Sequence, residues 1–257
     1  MTAIESQATS SASAIDVQAP STPASPRTEN VPLGILCMVI ATLMFSIAFA
    51  LSKWQVAIYP PGEVVFLRSL SSLIVAAGVM LPITGFSVFA TRRPRDHIAR
   101  GLSQSISQTL TILAFSLMPL AGAVAIGFSS PLFAALVSII FLKEHAGLAR
   151  WSALLVGFFG VLIVTNPGAN SLTLGALFAL GNAIMYGSVT VAVRGMTKTE
   201  SANTLLMWQL VTVAFFQSFL LFFGWRLPAP VDAAMLFASG VANAVAQYFW
   251  TQSLRFA

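Results

Sequence analysis

Residues 101–142 read GLSQSISQTLTILAFSLMPLAGAVAIGFSSPLFAALVSIIFL, 42 residues without an Asp, Glu, Lys or Arg. A helix crosses the hydrocarbon of a bilayer in about 20 residues, so this run is twice the length one crossing needs. Near its middle stands Met118-Pro119-Leu120-Ala121-Gly122. Proline removes a helix donor and glycine loosens the backbone, so the run predicts two spans joined by a tight turn.

The same criterion works outward. Charge-free stretches cover residues 30–52, 69–91 (extending back to about Glu63), 151–193, 201–225 and 233–254. The stretch 151–193 is again double and is split by Asn166-Pro167-Gly168-Ala169-Asn170. The count is eight spans. Of 257 residues, 57% are hydrophobic and 8% charged, against about a quarter charged in soluble domains. Strands of alternating polarity, as in a membrane barrel, are not seen. The expected fold class is an all-α polytopic membrane protein. Residues 1–30 are rich in Ser, Ala, Thr and Pro and have no apolar core, which predicts a disordered cytoplasmic tail and not a signal peptide.

The chain carries 13 basic and 8 acidic residues. The basic ones fall at the ends of apolar runs, as membrane flanks do, and no basic patch with interleaved aromatics suits nucleic acid. With the N-terminus cytoplasmic, Arg27, Arg92, Arg93, Arg95, Arg100, Lys143, Arg150, Arg194, Lys198 and Arg255 all fall inside. Lys53, Arg68 and Arg226 fall outside. This predicts a multi-pass protein of the cytoplasmic (inner) membrane. Cys37 sits in an apolar run, and His97 and His145 sit in charged connecting segments. Metal-site and nucleophile motifs are absent, so no cofactor, no metal and no enzymatic activity are expected.

The first span, LGILCMVIATLMFSIAFALSK (33–53), resembles the sixth, LGALFALGNAIMYGSVTVAVR (174–194). In the third, GLSQSISQTL starts at Gly101; in the eighth, GVANAVAQYF starts at Gly240. Gln108 coincides with Gln247, and Gln104 faces Asn243. Each pair lies five spans apart, so the copies run in opposite directions, an arrangement found in alternating-access transporters. The expected organisation is one five-helix repeat over residues 31–167 and a second over 171–257. That second repeat holds three of five helices, so ten helices are expected in all. A natural eight-helix protein is the alternative.

PPGEVVFLRSL (60–70), AFSLMPLAGAVAIGFSSPLFAALVSIIFLKE (114–144) and RWSALLVGFFGVLIVTNPG (150–168) resemble the EamA-like branch of the drug/metabolite transporter superfamily. The resemblance runs from about Leu33 to the end. It implies two inverted five-helix halves around a central cavity, with the fifth and tenth helices peripheral. Members of that family move amino acids, vitamins, nucleotide-derived metabolites and drugs. The motifs are closer to members handling riboflavin or adenosylmethionine-like solutes than to sugar-phosphate carriers.

Polar residues inside spans are costly unless partnered, so their positions carry information. Gln104, Ser107, Gln108 and Thr111 lie at i, i+3, i+4 and i+7, on one helical face. Asn243, Gln247, Trp250 and Thr251 repeat that face in the eighth span, and Asn182 and Tyr186 lie one turn apart in the sixth. These stripes predict a solute site with aromatic rings for stacking, or else polar glue between helices. Arg68 lies inside the second span, where it either attracts an anionic group, locks a gate or snorkels as an anchor. Pro131 marks a kink and a hinge. Gly157 and Gly160, with Ala153, predict a close helix-packing face. No acidic residue lies deep in a span, which favours facilitated transport or exchange.

The leading expectation is a secondary transporter of a small polar or heterocyclic metabolite, of amino-acid, vitamin or nucleoside-like chemistry. Its partners are that solute and the lipid bilayer, and a homodimer is compatible with the sequence. A non-transporting scaffold or receptor, or an inactive fragment of a transporter, is the alternative. An intramembrane lipid enzyme would need paired Asp, His or Ser groups at one depth, and none are found.

Overall fold

The structure is a computed structural model that describes residues 30–142, 147, 151–152, 155–157, 159–160, 163 and 173–256. The N-terminal tail, most of the fifth span, the turn at 166–170 and the residues Lys143, Glu144, His145 and Arg150 lie outside them. Among the described residues the regular structure is helical throughout. The helices are α1 (Val31–Gln55), α2 (Pro61–Thr84), α3 (Pro94–Leu117), α4 (Leu120–Gly127), α5 (Ser130–Leu142), α6 (Leu174–Met196), α7 (Ala202–Ser218) and α8 (Pro230–Phe256). Short 3₁₀ turns, Gly85–Phe89 and Phe219–Phe223, extend α2 and α7.

Local sequence sets the boundaries. Asn30, Thr173 and Ser201 accept backbone N–H groups at the starts of α1, α6 and α7, which satisfies donors that a helix start leaves orphaned. Proline opens α2, α3 and α8, where its missing N–H costs nothing. Gly85 ends α2 with φ 62°, a conformation that favours glycine.

Among the described residues, five segments are long and apolar enough to cross a membrane: Val31–Gln55, Pro61–Phe89, Leu120–Ile139, Leu174–Met196 and Ala202–Phe223. The other two long helices, α3 and α8, are more polar, and the packing accounts for it. The most extensive contacts run between α1 and α8 and between α3 and α6. Then come α2 with α8, α3 with α7, α5 with α6, and α2 with α7. The polar residues of α3 and α8 are therefore covered by protein: Gln104, Gln108, Asn243, Gln247 and Thr251 are all buried. Meanwhile α1 turns Ile35, Val39, Leu43 and Ile47 outward, as a lipid-facing surface requires.

At two of the tight crossings a glycine leaves no room for a side chain. A side chain at Gly101 of α3 would overlap Thr212 of α7, and one at Gly240 of α8 would overlap Ser71 and stand 2.8 Å from the Arg68 carbonyl oxygen of α2. Only glycine permits either approach.

Four expectations need correction. The third span begins at Pro94, not near Gly101, and takes in Asp96, His97 and Arg100. His97 is not in a connecting segment: it is buried and stacks on Trp208 at 5.3 Å. Arg100 is no exposed flank either, since it donates to the Leu205 carbonyl at 2.8 Å and to Gln209 Oε1. Neighbouring helices thus absorb groups that a charge-free criterion assigns to water. The fourth span is not one kinked helix. It breaks between α4 and α5, and Pro131 is the second residue of α5, after the break. The packing face expected of Gly157 and Gly160 includes Ala153, which lies outside the described residues.

Gly240→Val should lower the melting temperature of the purified chain in detergent, by the equivalent of about 1–3 kcal/mol or more for an overpacked crossing. Gly78→Val, at an open position of α2, should leave it within error. Equal melting of both variants would show that the α2–α8 approach is not tight.

Candidate functional site

A hollow of about 270 Å³ lies between α1, α2, α3, α4, α6 and α8. Helix α3 gives it Gln104, Ser107, Gln108 and Thr111; α6 gives Asn182 and Tyr186; α8 gives Asn243, Gln247 and Trp250; α2 gives Arg68. Ten of the eleven polar and aromatic residues named from the sequence therefore border one space; Thr251 is not in its lining. Two other hollows, about 480 Å³ between α3 and α6 and about 380 Å³ between α2 and α8, contain none of them. Pro131 is absent from the lining, although its neighbours Phe128 and Ser130 are present.

The residues differ in how firmly the fold already holds them. Asn243 Nδ2 donates to Ser72 Oγ at 3.0 Å, and that hydroxyl also donates to the Gly240 carbonyl at 2.8 Å. Asn243 is thus tied into the α2–α8 crossing. Ser107 Oγ donates to Asn182 Oδ1 at 2.6 Å, joining α3 to α6. Thr111 returns its hydroxyl to the Ser107 carbonyl at 2.9 Å, a local bond that frees the face beyond it. Gln247 Oε1 has no partner. Tyr186 and Trp250 pack on each other, with centroids 5.7 Å apart and planes tilted by 45°, and offer aromatic surface to an apolar or heterocyclic guest.

Arg68 is 2% exposed. It does not snorkel: its guanidinium donates to Ser52 Oγ and to Gln108 Oε1, each at 3.2 Å, and its Nε has no partner. Taking an ion out of water costs several kcal/mol before any partner repays it, and these partners are neutral. Glu63, though near the start of α2 as expected, is fully buried, and its Oε2 accepts the Arg226 backbone N–H at 2.8 Å.

Several participants are not singled out by the sequence. From α1 come Thr42, Phe45, Ser46 and Phe49. The two hydroxyls bond to their own helix, to the Met38 and Thr42 carbonyls; a Thr/Ser pair one turn apart beside two Phe one turn apart was the available signal. Lys53 Nζ donates to the Phe115 and Met118 carbonyls at 2.5 and 3.0 Å. It places a cation on the exposed carbonyls at the end of α3. Beyond the hollow, Tyr59 donates to Asp232 Oδ2 at 2.5 Å at one end of the bundle, and Thr91 donates to Glu200 Oε1 at 2.7 Å at the other. The bond to the carboxylate pushes the Tyr59 phenol above the ordinary tyrosine range.

The profile of the EamA-like transporter family matches residues 32–166, more than half of the chain. The protein belongs to that family. A riboflavin transporter of Rhizobium johnstonii is 26% identical to this EamA-like protein over 85% of this chain and 73% of its own length. A pseudopaline exporter of Pseudomonas aeruginosa is 27% identical over 86% and 78%. An S-adenosylmethionine uptake transporter of Rickettsia conorii is 27% identical over 73% and 63%. One crystal structure superposes with a TM-score of 0.65 at 18% identity, covering 88% of this chain and 78% of its own, a likeness of fold alone. This EamA-like protein is a multi-pass membrane protein, and its family and relatives are transporters and not enzymes.

Gln108→Leu should destabilise this EamA-like protein by about 1.5–3 kcal/mol, because it strands a charged donor in the interior. Arg68→Met combined with Gln108→Leu should recover much of that loss, since both partners become apolar. Additive losses in thermal melts of the single and double variants would show that the two side chains are not coupled.

Proposed function

We propose that this EamA-like transporter moves a small polar or heterocyclic metabolite by alternating access, with the central hollow as its solute site. The observation that carries this reading is the composition of the hollow's wall. It combines amide groups on three helices, an aromatic pair and one buried cation in a space bordered by six helices. Solute sites are mainly apolar hollows with a few convergent polar groups. The relatives named for riboflavin and S-adenosylmethionine fit a solute with a heterocyclic ring, which Tyr186 and Trp250 are suited to face.

The reading includes an inverted repeat that relates α1, α2 and α3 to α6, α7 and α8. Three observations support it. Exchanging those helices turns the α1–α8 contact into α6–α3, and turns α2–α8 into α7–α3; these are the four most extensive long-helix contacts. The offset that pairs Gln108 with Gln247 also pairs Gly101 with Gly240, and the offset that pairs Leu33 with Leu174 pairs Ser71 with Thr212. Each glycine touches the hydroxyl residue of the opposite half. A site between two antiparallel halves is accessible from either side by rocking one against the other.

The proposed orientation in the cytoplasmic membrane keeps the N-terminus inside. Of the three basic residues on the outer side, Arg68 is buried and Lys53 is bound to α3 carbonyls, so the asymmetry of free positive charge is steeper than the plain count. Arg100, on the inner side, is buried as well.

The test is uptake of labelled riboflavin, S-adenosylmethionine and aromatic amino acids by proteoliposomes containing the full-length protein. Gln247→Leu and Trp250→Ala should each lower the rate of the transported solute by about tenfold or more, with the fold intact by size-exclusion chromatography. Loss of a hydrogen bond or a stacking surface of about 1.4 kcal/mol accounts for a tenfold change. Unchanged rates in both variants would remove the solute from this hollow.

A further inference from the structure

We infer that the α2 corner of the hollow is an anion-receiving site, and that the translocated solute docks there through a carboxylate or phosphate held by Arg68. This inference rests on the transport reading above and adds the charge and direction of the solute.

Three donors converge on one neutral oxygen. Gln108 Oε1 accepts Arg68 Nη2 at 3.2 Å, Gln217 Nε2 at 3.4 Å and Ser69 Oγ at 3.5 Å. All three distances exceed the usual 2.9–3.0 Å or so. An amide oxygen has two lone pairs, so three donors overfill it. Arg68 Nε, also buried, has no acceptor at all. Four helices contribute to this corner: Ser52 from α1, Arg68 and Ser69 from α2, Gln108 from α3 and Gln217 from α7. It is a buried cation whose partners are all neutral, and the one spare acceptor beside it, Gln217 Oε1, is neutral too.

Among the described residues no carboxylate pairs with it, and the one ion pair is Arg93 with Asp96, at the start of α3. Glu63 precedes Arg68 on the same helix, but it turns to the Arg226 backbone. Arg68 and Gln108 both border the hollow, so an anion arriving there meets the donors directly. Two oxygens of a carboxylate or phosphate suit the planar fork of a guanidinium. The missing counter-charge is thus of the kind a solute brings with it.

The same geometry orients the solute. Arg68, Trp250 and Tyr186 line the same hollow. A solute with its anionic group at Arg68 has its ring in the space that Trp250 and Tyr186 border.

The experiment compares matched probes in proteoliposomes of the full-length protein: L-tryptophan against L-tryptophanamide, and flavin mononucleotide against riboflavin. Each is measured in chloride and in gluconate buffer, for wild type, Arg68→Lys and Arg68→Gln. The expected result is uptake of the anionic member at least tenfold above its neutral partner, lost in Arg68→Gln and partly kept in Arg68→Lys. Neutral probes that move only in chloride would also support an anion at Arg68, with its source inorganic. Neutral and anionic probes moving alike, independent of chloride, would overturn the inference while the transport reading stands; that comparison needs only the wild type. Wild-type uptake of none of the probes would remove the proposed solute class, and this inference with it.

Discussion

Everything in this bundle follows from the requirement that polar groups in a membrane find partners within the protein. Lipid offers no hydrogen bonds, so an unpartnered amide or guanidinium facing it is costly. Helices α3 and α8 each carry a full polar stripe, and each is enclosed. α1 and α2 cover α8, while α6 and α7 cover α3. The apolar helices behave as a sleeve, and the hollow is what remains where facing polar stripes meet without interlocking completely.

The sequence reveals the approximate placement of the described spans because absence of charge over about 20 residues has one physical cause. It fails where a tertiary partner replaces water. Arg100 and His97 look like flanking residues until Leu205, Gln209 and Trp208 are brought beside them. The break between α4 and α5 was signalled by Ser129-Ser130-Pro131, but a kink and a full break share that signal.

For the hollow, spacing was informative on helices whose polar residues form a stripe. Gln104, Ser107, Gln108 and Thr111 share a face by helical periodicity alone, and the structure gathers them with Asn182, Tyr186, Asn243, Gln247, Trp250 and Arg68. Single polar positions gave no such pattern. Ser52 and Gln217, both bonded to the Arg68–Gln108 pair, are isolated in otherwise apolar runs. The α1 lining is hidden for another reason: Thr42 and Ser46 satisfy themselves on their own backbone, and Phe45 and Phe49 look like lipid-facing residues.

The glycine crossings have a mechanical consequence. Where most helices meet, a layer of side chains can rearrange and let one cylinder slide on another. At Gly101 and Gly240 one side of that cushion is missing, so α3 is pinned against Thr212 of α7, and α8 against Ser71 and the Arg68 carbonyl of α2, at one point each. Sliding of either pair along its shared axis would drive the neighbouring side chain into the glycine's place, so these two points resist displacement more than crossings lined by long side chains on both helices.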